Sequence, residues 1–325
     1  MQLSAMGLPD HLAQTQVRLV AVGPDEAGQR IDNFLARYLK GVPHSHIYRI
    51  LRRGEVRVNS GRVRAQYKVK AGDKVRIPPA RVVTDTAKAP PGKRLLAIED
   101  HILFEDAYLM VIDKPAGVAV HGGSGISHGI IEALRTVRPD APFLELVHRL
   151  DRDTSGCLIV AKRRSALRAL HEQLRTGAMN KRYLTLVRGP WSGGSRTVTA
   201  ALRKNQLQGG ERVVTVDGTG KEAVTLFHPL TGHGQATLVD VELKTGRTHQ
   251  IRVHAAHIGH PLAGDLKYGD ADFNQLMKGF GLRRLFLHAH RIEFTHPAGG
   301  GSIGLSAMPG QDLQLVLDNL GLVIP

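Results

Sequence analysis

The chain has 325 residues, of which 42% are hydrophobic and 22% charged, and its 44 Lys+Arg against 29 Asp+Glu give a formal charge of +15. That length suits one large domain plus a small one, and the composition excludes a disordered chain. No run approaches the roughly 18 apolar residues of a membrane span, the start lacks a secretory apolar region, and the lone Cys157 excludes an intramolecular disulfide or a cysteine zinc cage, so a cytoplasmic protein is expected.

Residues 1–17 show no apolar period and read as a loose tail. Ile31, Phe34, Leu35 and Leu39 then share one face of a predicted helix that Gly41 and Pro43 end. Ile47, Ile50 and Leu51 mark a second helix, surrounded by Arg49, Arg52 and Arg53 and stopped by Gly54. Val56 and Val58, an Asn59-Ser60-Gly61 turn, and Val63, Val69, Val75 and Ile77 follow with strand-like alternation up to Pro78-Pro79. Residues 18–83 therefore form a small helix–helix–β module. Between Arg30 and Arg81 there are 14 Lys/Arg against only Asp32, Glu55 and Asp73, so most of the surplus charge sits here and a polyanionic partner, nucleic acid, is expected. With only 5% aromatic residues, phosphate and shape contacts are favoured over a stacking platform.

Residues 84–98 (TDTAKAPPGKRLLAI) read as a linker, and a larger domain spans 99–325. Its predicted strands are 109–113, 144–148, 157–161, 183–187, 236–243 and 285–294. Leu167, Leu170 and Leu174 mark one helix, and Ile251, Val253 and Ile258 a second helical stretch. Several strands with few long helices imply an α+β domain on a mixed, mostly antiparallel sheet.

Three polar clusters carry the candidate chemistry. The loop His148-Arg149-Leu150-Asp151-Arg152-Asp153-Thr154-Ser155-Gly156 lies between two apolar strands. It reads as a side-chain-stabilised turn, a metal site on Asp151 and Asp153, or a carboxylate nucleophile or base flanked by cations. Arg149 and Arg152 count against a metal and suit pairing with the acids, which favours a nucleophile over a general acid. The second cluster, Thr245 to His254, places Arg252 one helical turn beyond His249. The third, Lys181-Arg182-Tyr183, enters a strand. Gly299, Gly301 and Gly304 have dinucleotide-loop spacing without a surrounding βαβ unit and read as a hairpin turn. The pairs His254/His257 and His288/His290 come without a nearby acidic residue, so no metal site is expected, and Cys157 reads as packing.

Taken together, the Asp151 loop, Lys181-Arg182-Tyr183 and Gly246 to His254 resemble the RluA-type pseudouridine synthases. His260 to Asp265 and Leu285 to Ala289 extend the likeness over residues 99 to about 310. The front module resembles an S4 RNA-binding domain at Arg30 to Leu35 and Gly54 to Asn59. Within the family the chain is most similar to bacterial enzymes acting on the large ribosomal subunit, on Gly41-Val42-Pro43, Ile47 to Arg52, His121 to Gly125 and Phe143 to Asp151. The resemblance implies a pseudouridine synthase fold behind a small S4-like α/β domain, and cofactor-free, metal-free isomerisation of uridine in 23S rRNA. Asp151 would be the catalytic aspartate and Arg252 its ion-pair partner. Tyr183 would stack on the target ring and help remove the C5 proton, with Leu287 an apolar wall. Arg149 would fill the space left by the extruded base. Arg49, Arg52 and Arg53 would contact phosphates, while Arg247 would either touch RNA or only pack. A monomer is expected. Two rival readings remain: a tRNA or different rRNA substrate, and a non-catalytic rRNA assembly factor in which the Asp151 loop is only structural.

Overall fold

The computed structural model describes residues 16–39, 42, 44–79, 95, 97–122, 128–206 and 212–325. The tail over 1–15, the helix stops Gly41 and Pro43, Arg81, most of the linker and the Gly123–Gly125 part of the family likeness lie outside these residues. The chain divides into two units, 1–90 and 91–325.

In the first unit the alternating apolar residues build β1 (Arg18–Ala21), β2 (Arg57–Val58), β3 (Gly61–Arg62) and β4 (Lys74–Ile77), in the sheet order β1-β4-β2-β3. The helical spacing gives α1 (Ile31–Tyr38) and α2 (His44–Arg53). Ile31, Phe34, Leu35, Ile47, Ile50 and Leu51 bury their side chains against Val56, Val58, Val75 and Ile77, which leaves Arg49, Arg52 and Arg53 on the exposed face of α2.

The second unit is built on one large sheet. In chain order it contains β5 (Ile102–Glu105), β6 (Leu109–Lys114), α3 (Ile130–Val137), β7 (Glu145–Leu146), β8 (Ser155–Ala161), α4 (Arg164–Thr176), β9 (Asn180–Arg188), β10 (Arg196–Thr199), β11 (Leu202–Gln206), β12 (Arg212–Val216), β13 (Val224–His233), β14 (Ala236–Leu243), α5 (Gln250–His257), α6 (Ala271–Gly279), β15 (Leu287–Thr295), β16 (Ser302–Ser306) and α7 (Gln311–Leu320). The sheet order is β10-β13-β14-β9-β15-β8-β6-β5, with β16 on β15 and β7 on β8, while β11 and β12 form a separate ribbon. Every pairing in the large sheet is antiparallel except the short parallel contact of β15 with β8 at His288/Ser155 and Ala289/Gly156. The domain is thus α+β and mixed, mostly antiparallel, as its pattern implied.

Strand alternation divides the buried residues by face. Met110, Ile112, Leu158, Val160, Tyr183 and Val241 share one cluster, which includes Ile131 of α3 and Ile251 of α5. On the opposite face Leu109, Val111, Ile159 and Ala161 pack with Leu170 of α4, and Leu184, Leu186 and Leu238 pack with Phe273 of α6 and Val316 of α7. Leu95 and Ile98, at the end of the expected linker, join the first of these clusters, so the packed part of this unit starts before residue 99. The glycine-rich segment after His296-Pro297 is the β15–β16 turn, as its lack of a βαβ context required.

Candidate active site

Asp151 lies in the loop from β7 to β8. The loop backbone is tied down on both sides: Thr154 N–H donates to the Asp151 carbonyl (3.2 Å) and Gly117 N–H to the Arg152 carbonyl (2.9 Å). The wholly buried Lys114 adds a three-way clamp, its Nζ donating to the carbonyls of Pro115 (2.9 Å), Val118 (2.8 Å) and Arg152 (3.0 Å). In the sequence this lysine looks like an ordinary strand-end charge. Its role is visible only once β6 pairs with β8. Where the loop enters the sheet, Gly156 has φ +106°, and a Cβ there would stand 2.3 Å from the Ala289 carbonyl oxygen. His148 turns inward and accepts the Ile159 N–H on Nε2 (3.1 Å); burial holds its pKa down at about 3.

Opposite the loop, α5 is stapled at its start by Gln250. Its amide donates to the Val224 carbonyl and Thr225 Oγ1, and its Oε1 accepts from Thr245 Oγ1 and Arg247 N–H. His254 is equally structural, bonded to Thr225 Oγ1 and the Ala200 carbonyl. These anchors leave His249 and Arg252 pointing at the loop. Arg252 Nη1 lies 3.6 Å from Asp151 Oδ2, and His249 Nε2 lies 3.8 Å from the same oxygen. Arg252 is aimed by a residue to which sequence reading gave no role. Its Nε and Nη2 donate to the two oxygens of the fully buried Asp265, each at 2.7 Å, and its guanidinium lies over the Tyr268 ring at 5.0 Å. Burial opposes the charge on Asp265, but the Arg252 fork and two backbone N–H groups win and lower its pKa.

A cleft of about 390 Å³ opens over this pair. Asp151, Tyr183, Arg252, Arg149, Arg247 and Leu287 all line it, so six of the residues singled out from sequence converge on one space. Asp151 is its single carboxylate among the described residues, facing Arg149, Arg175, Lys181, Arg247 and Arg252. Tyr183 and Leu287, on the neighbouring strands β9 and β15, are 6% and 4% exposed and form the apolar wall. Burial first, and the Asp151 charge second, push the Tyr183 phenol well above its usual range, so the ring is neutral. Arg149 is exposed at the rim, and among the described residues its guanidinium has no hydrogen-bond or ion-pair partner. Arg247 is exposed as well, with Nε donating to the Glu222 carbonyl (3.0 Å).

Two local expectations need correction. Arg152 pairs with Asp153 (3.0 Å) and Arg149 pairs with neither acid; the cation on Asp151 comes from α5, because the loop turns its carboxylate into the cleft. His290 does have an acidic neighbour, Asp240 (3.2 Å), which the sheet brings from β14 and sequence distance conceals. Cys157 is buried and its thiol is pushed up to about 12 by that burial. Among the described residues no three His, Cys, Asp or Glu side chains gather as metal ligands, and no helix is long and apolar enough to cross a membrane.

In the basic module, two of the acids are consumed internally. Asp32 accepts Arg30 (3.0 and 2.6 Å) and Tyr48 (2.8 Å), and Asp73 accepts Asn59, Tyr67 and Lys70 N–H. Glu55 reaches Arg53 at 3.8 Å, and Arg49 bonds His46, so the exposed cations of α2 meet little opposing charge.

Residues 108–257 match the RNA pseudouridylate synthase family and residues 29–75 the S4 domain. The chain is 55% identical, over 94% of its length and 97% of the relative, to the ribosomal large subunit pseudouridine synthase C of Salmonella typhi. It is 54% identical, with the same coverage, to the protein of that name in Escherichia coli strain K12. In fold, it is similar to human RNA pseudouridylate synthase domain containing 4, with a TM-score of 0.60 at 24% identity, covering 71% of this chain and 97% of the other.

Proposed function

The chain belongs to the RNA pseudouridylate synthase family, and from that premise we propose that it isomerises uridines of 23S rRNA to pseudouridine, with Asp151 as the catalytic carboxylate. The observation that carries the assignment of the site is the Asp151–Arg252–Asp265 chain at the mouth of a cationic cleft with an apolar wall. The reaction moves ribose C1′ from N1 to C5: the N1–C1′ bond breaks, the C5–C1′ bond forms, the C5 proton leaves and N1 ends protonated. Nothing is oxidised or reduced, so an oriented carboxylate in a shielded pocket is sufficient chemistry. Arg252 supplies the counter-charge and aims Asp151. Tyr183 and Leu287 form one wall against the uracil, and the neutral phenol of Tyr183 favours stacking over service as a phenolate base.

The target base must leave its stack at a cost of a few kcal/mol, and the unpartnered Arg149 is free to stack in its place. Arg247 at the rim and Arg49, Arg52 and Arg53 in the S4 module would hold phosphates, with affinity that falls as salt rises. We expect it to work as a monomer in the cytoplasm on rRNA. Pseudouridine mapping of large-subunit rRNA from cells lacking the protein should reveal at least one unmodified uridine, restored by wild type and not by Asp151→Asn. In vitro that variant should lose at least about 10³-fold in turnover while binding RNA within a few-fold of wild type. An unchanged rRNA map would favour a non-catalytic assembly role, and a missing tRNA site would move the substrate.

A further inference from the structure

His249 is the second group on Asp151, and its two ring nitrogens face different partners. Its backbone is left-handed (φ 53°), a conformation that places the imidazole at the start of α5 facing the loop. Nδ1 lies 2.8 Å from the Tyr268 hydroxyl. That hydroxyl oxygen accepts the Val214 N–H of β12 at 3.0 Å, so its own proton is available to point at Nδ1. With that hydroxyl donating to Nδ1, the imidazole carries its proton on Nε2, the atom that faces Asp151 Oδ2, and this is the arrangement the proposal adopts.

We propose that His249 is a positioning residue for the isomerisation. Uncharged and protonated on Nε2, it steadies Asp151 Oδ2 beside Arg252, and the Tyr268 hydroxyl, pinned by the β12 backbone, fixes that tautomer. This rests on the reading of Asp151 as the catalytic carboxylate.

The charges around the ring are Asp151 from the loop, Arg252 on its own helix, and Asp265 and Lys267 from the turn that carries Tyr268. Burial lowers the His249 pKa, only partly opposed by Asp151. An imidazolium would draw the carboxylate into a tight ion pair and blunt it toward carbon. Activity is therefore present above the His249 pKa and lost as pH falls through it. Removing the Tyr268 hydroxyl frees Nδ1 to take the proton, raises that pKa and moves the acid limb of kcat to higher pH.

The test uses the full chain. Imidazole ¹⁵N resonances identify the His249 signal, among 17 histidines, as the one absent from His249→Gln. Wild type should show neutral imidazole protonated on Nε2, and Tyr268→Phe should shift toward the Nδ1 form. On rRNA, Tyr268→Phe should lower kcat about tenfold with KM within about twofold and move the acid limb upward. His249→Gln, whose amide can still donate, should retain about fivefold more kcat than His249→Leu and lack that acid limb. An Nδ1-protonated or charged ring in wild type, or equal rates for the Gln and Leu variants, overturns the proposal. If the tautomer is as stated but wild type leaves rRNA unmodified, the relay stands and the substrate assignment fails.

Discussion

Arg252 works in three directions at once. Its Nε and Nη2 form a planar fork on Asp265, its Nη1 reaches Asp151, and its flat face lies on Tyr268. A guanidinium can satisfy all three because its donors are rigidly splayed, whereas an ammonium is a single point that must choose. Asp265 has a fully buried side chain and 2.7 Å contacts, while Asp151 is part-exposed at 3.6 Å, so a lysine would settle on Asp265 and desert Asp151. Arg252→Lys should thus keep its charge and its fold yet lose about 10²-fold in kcat, with KM changed less than threefold. Steady-state kinetics on rRNA, with circular dichroism as the folding check, decides it. A lysine enzyme within threefold of wild type would show that charge alone is enough and that the fork has no bearing on turnover.

At the scale of elements, what could be read from sequence follows burial. Strands β6, β8, β9 and β14 are covered on both faces, so their apolar runs were plain. Among the strands without a clear sequence signal, β5, β10 and β16 are half-exposed or carry mixed polar residues, and β13 is interrupted by a bulge between Pro229 and Thr231 that breaks its alternation. The predicted strand over 144–148 shrinks to Glu145–Leu146, because at His148 the side chain, and not the backbone, takes the Ile159 N–H of β8. Helix α7 carries its own helical stripe in Leu313, Val316, Leu317 and Leu320, all buried. The site residues were legible where chemistry is crowded into short motifs. Asp265 and Tyr268 acquire their roles only by long-range contact with α5, which no local pattern announces. Gly156 belongs to this scale, since it sits where the loop of Asp151 meets the single parallel contact between β8 and β15. A methyl group there would strike the backbone of Ala289 at 2.3–2.7 Å, and the positive φ adds strain. Gly156→Ala should cost about 3 kcal/mol or more in denaturant unfolding and depress kcat by displacing the loop. A loss below about 0.5 kcal/mol would mean that the sheet opens easily at this crossing.

For the whole molecule, acid conditions are a particular test of the larger unit, because its buried imidazoles lie there. Among its buried imidazoles, two are held most strongly in forms that resist protonation. His148 uses Nε2 as an acceptor for a backbone N–H, and His288 is held between Ser155 Oγ and the Ala307 carbonyl, both at 2.9 Å. Burial is the main cause that depresses their pKa values, to about 3 and about 4, from an ordinary 6.5. Because the folded values lie below the unfolded one, the unfolded chain takes up protons first. The stabilisation is therefore complete above about pH 6.5 and drains away as pH falls toward 4. The lowered carboxylates, with ordinary values of 3.8 for Asp240 and Asp265 and 4.5 for Glu105, add to the loss mainly at still lower pH. Between pH 6.5 and 4.5 the decline consequently reports buried histidine, at about 1 kcal/mol or more per pH unit. Urea unfolding followed by the fluorescence of Trp191, the sole tryptophan and a residue of this unit, should give a midpoint that falls steadily across that interval. A midpoint unchanged from pH 7 to 4.5 would mean that His148 and His288 accept protons without opening the sheet. In that case the contacts that hold the Asp151 loop between β8 and β15 would be looser than the geometry requires.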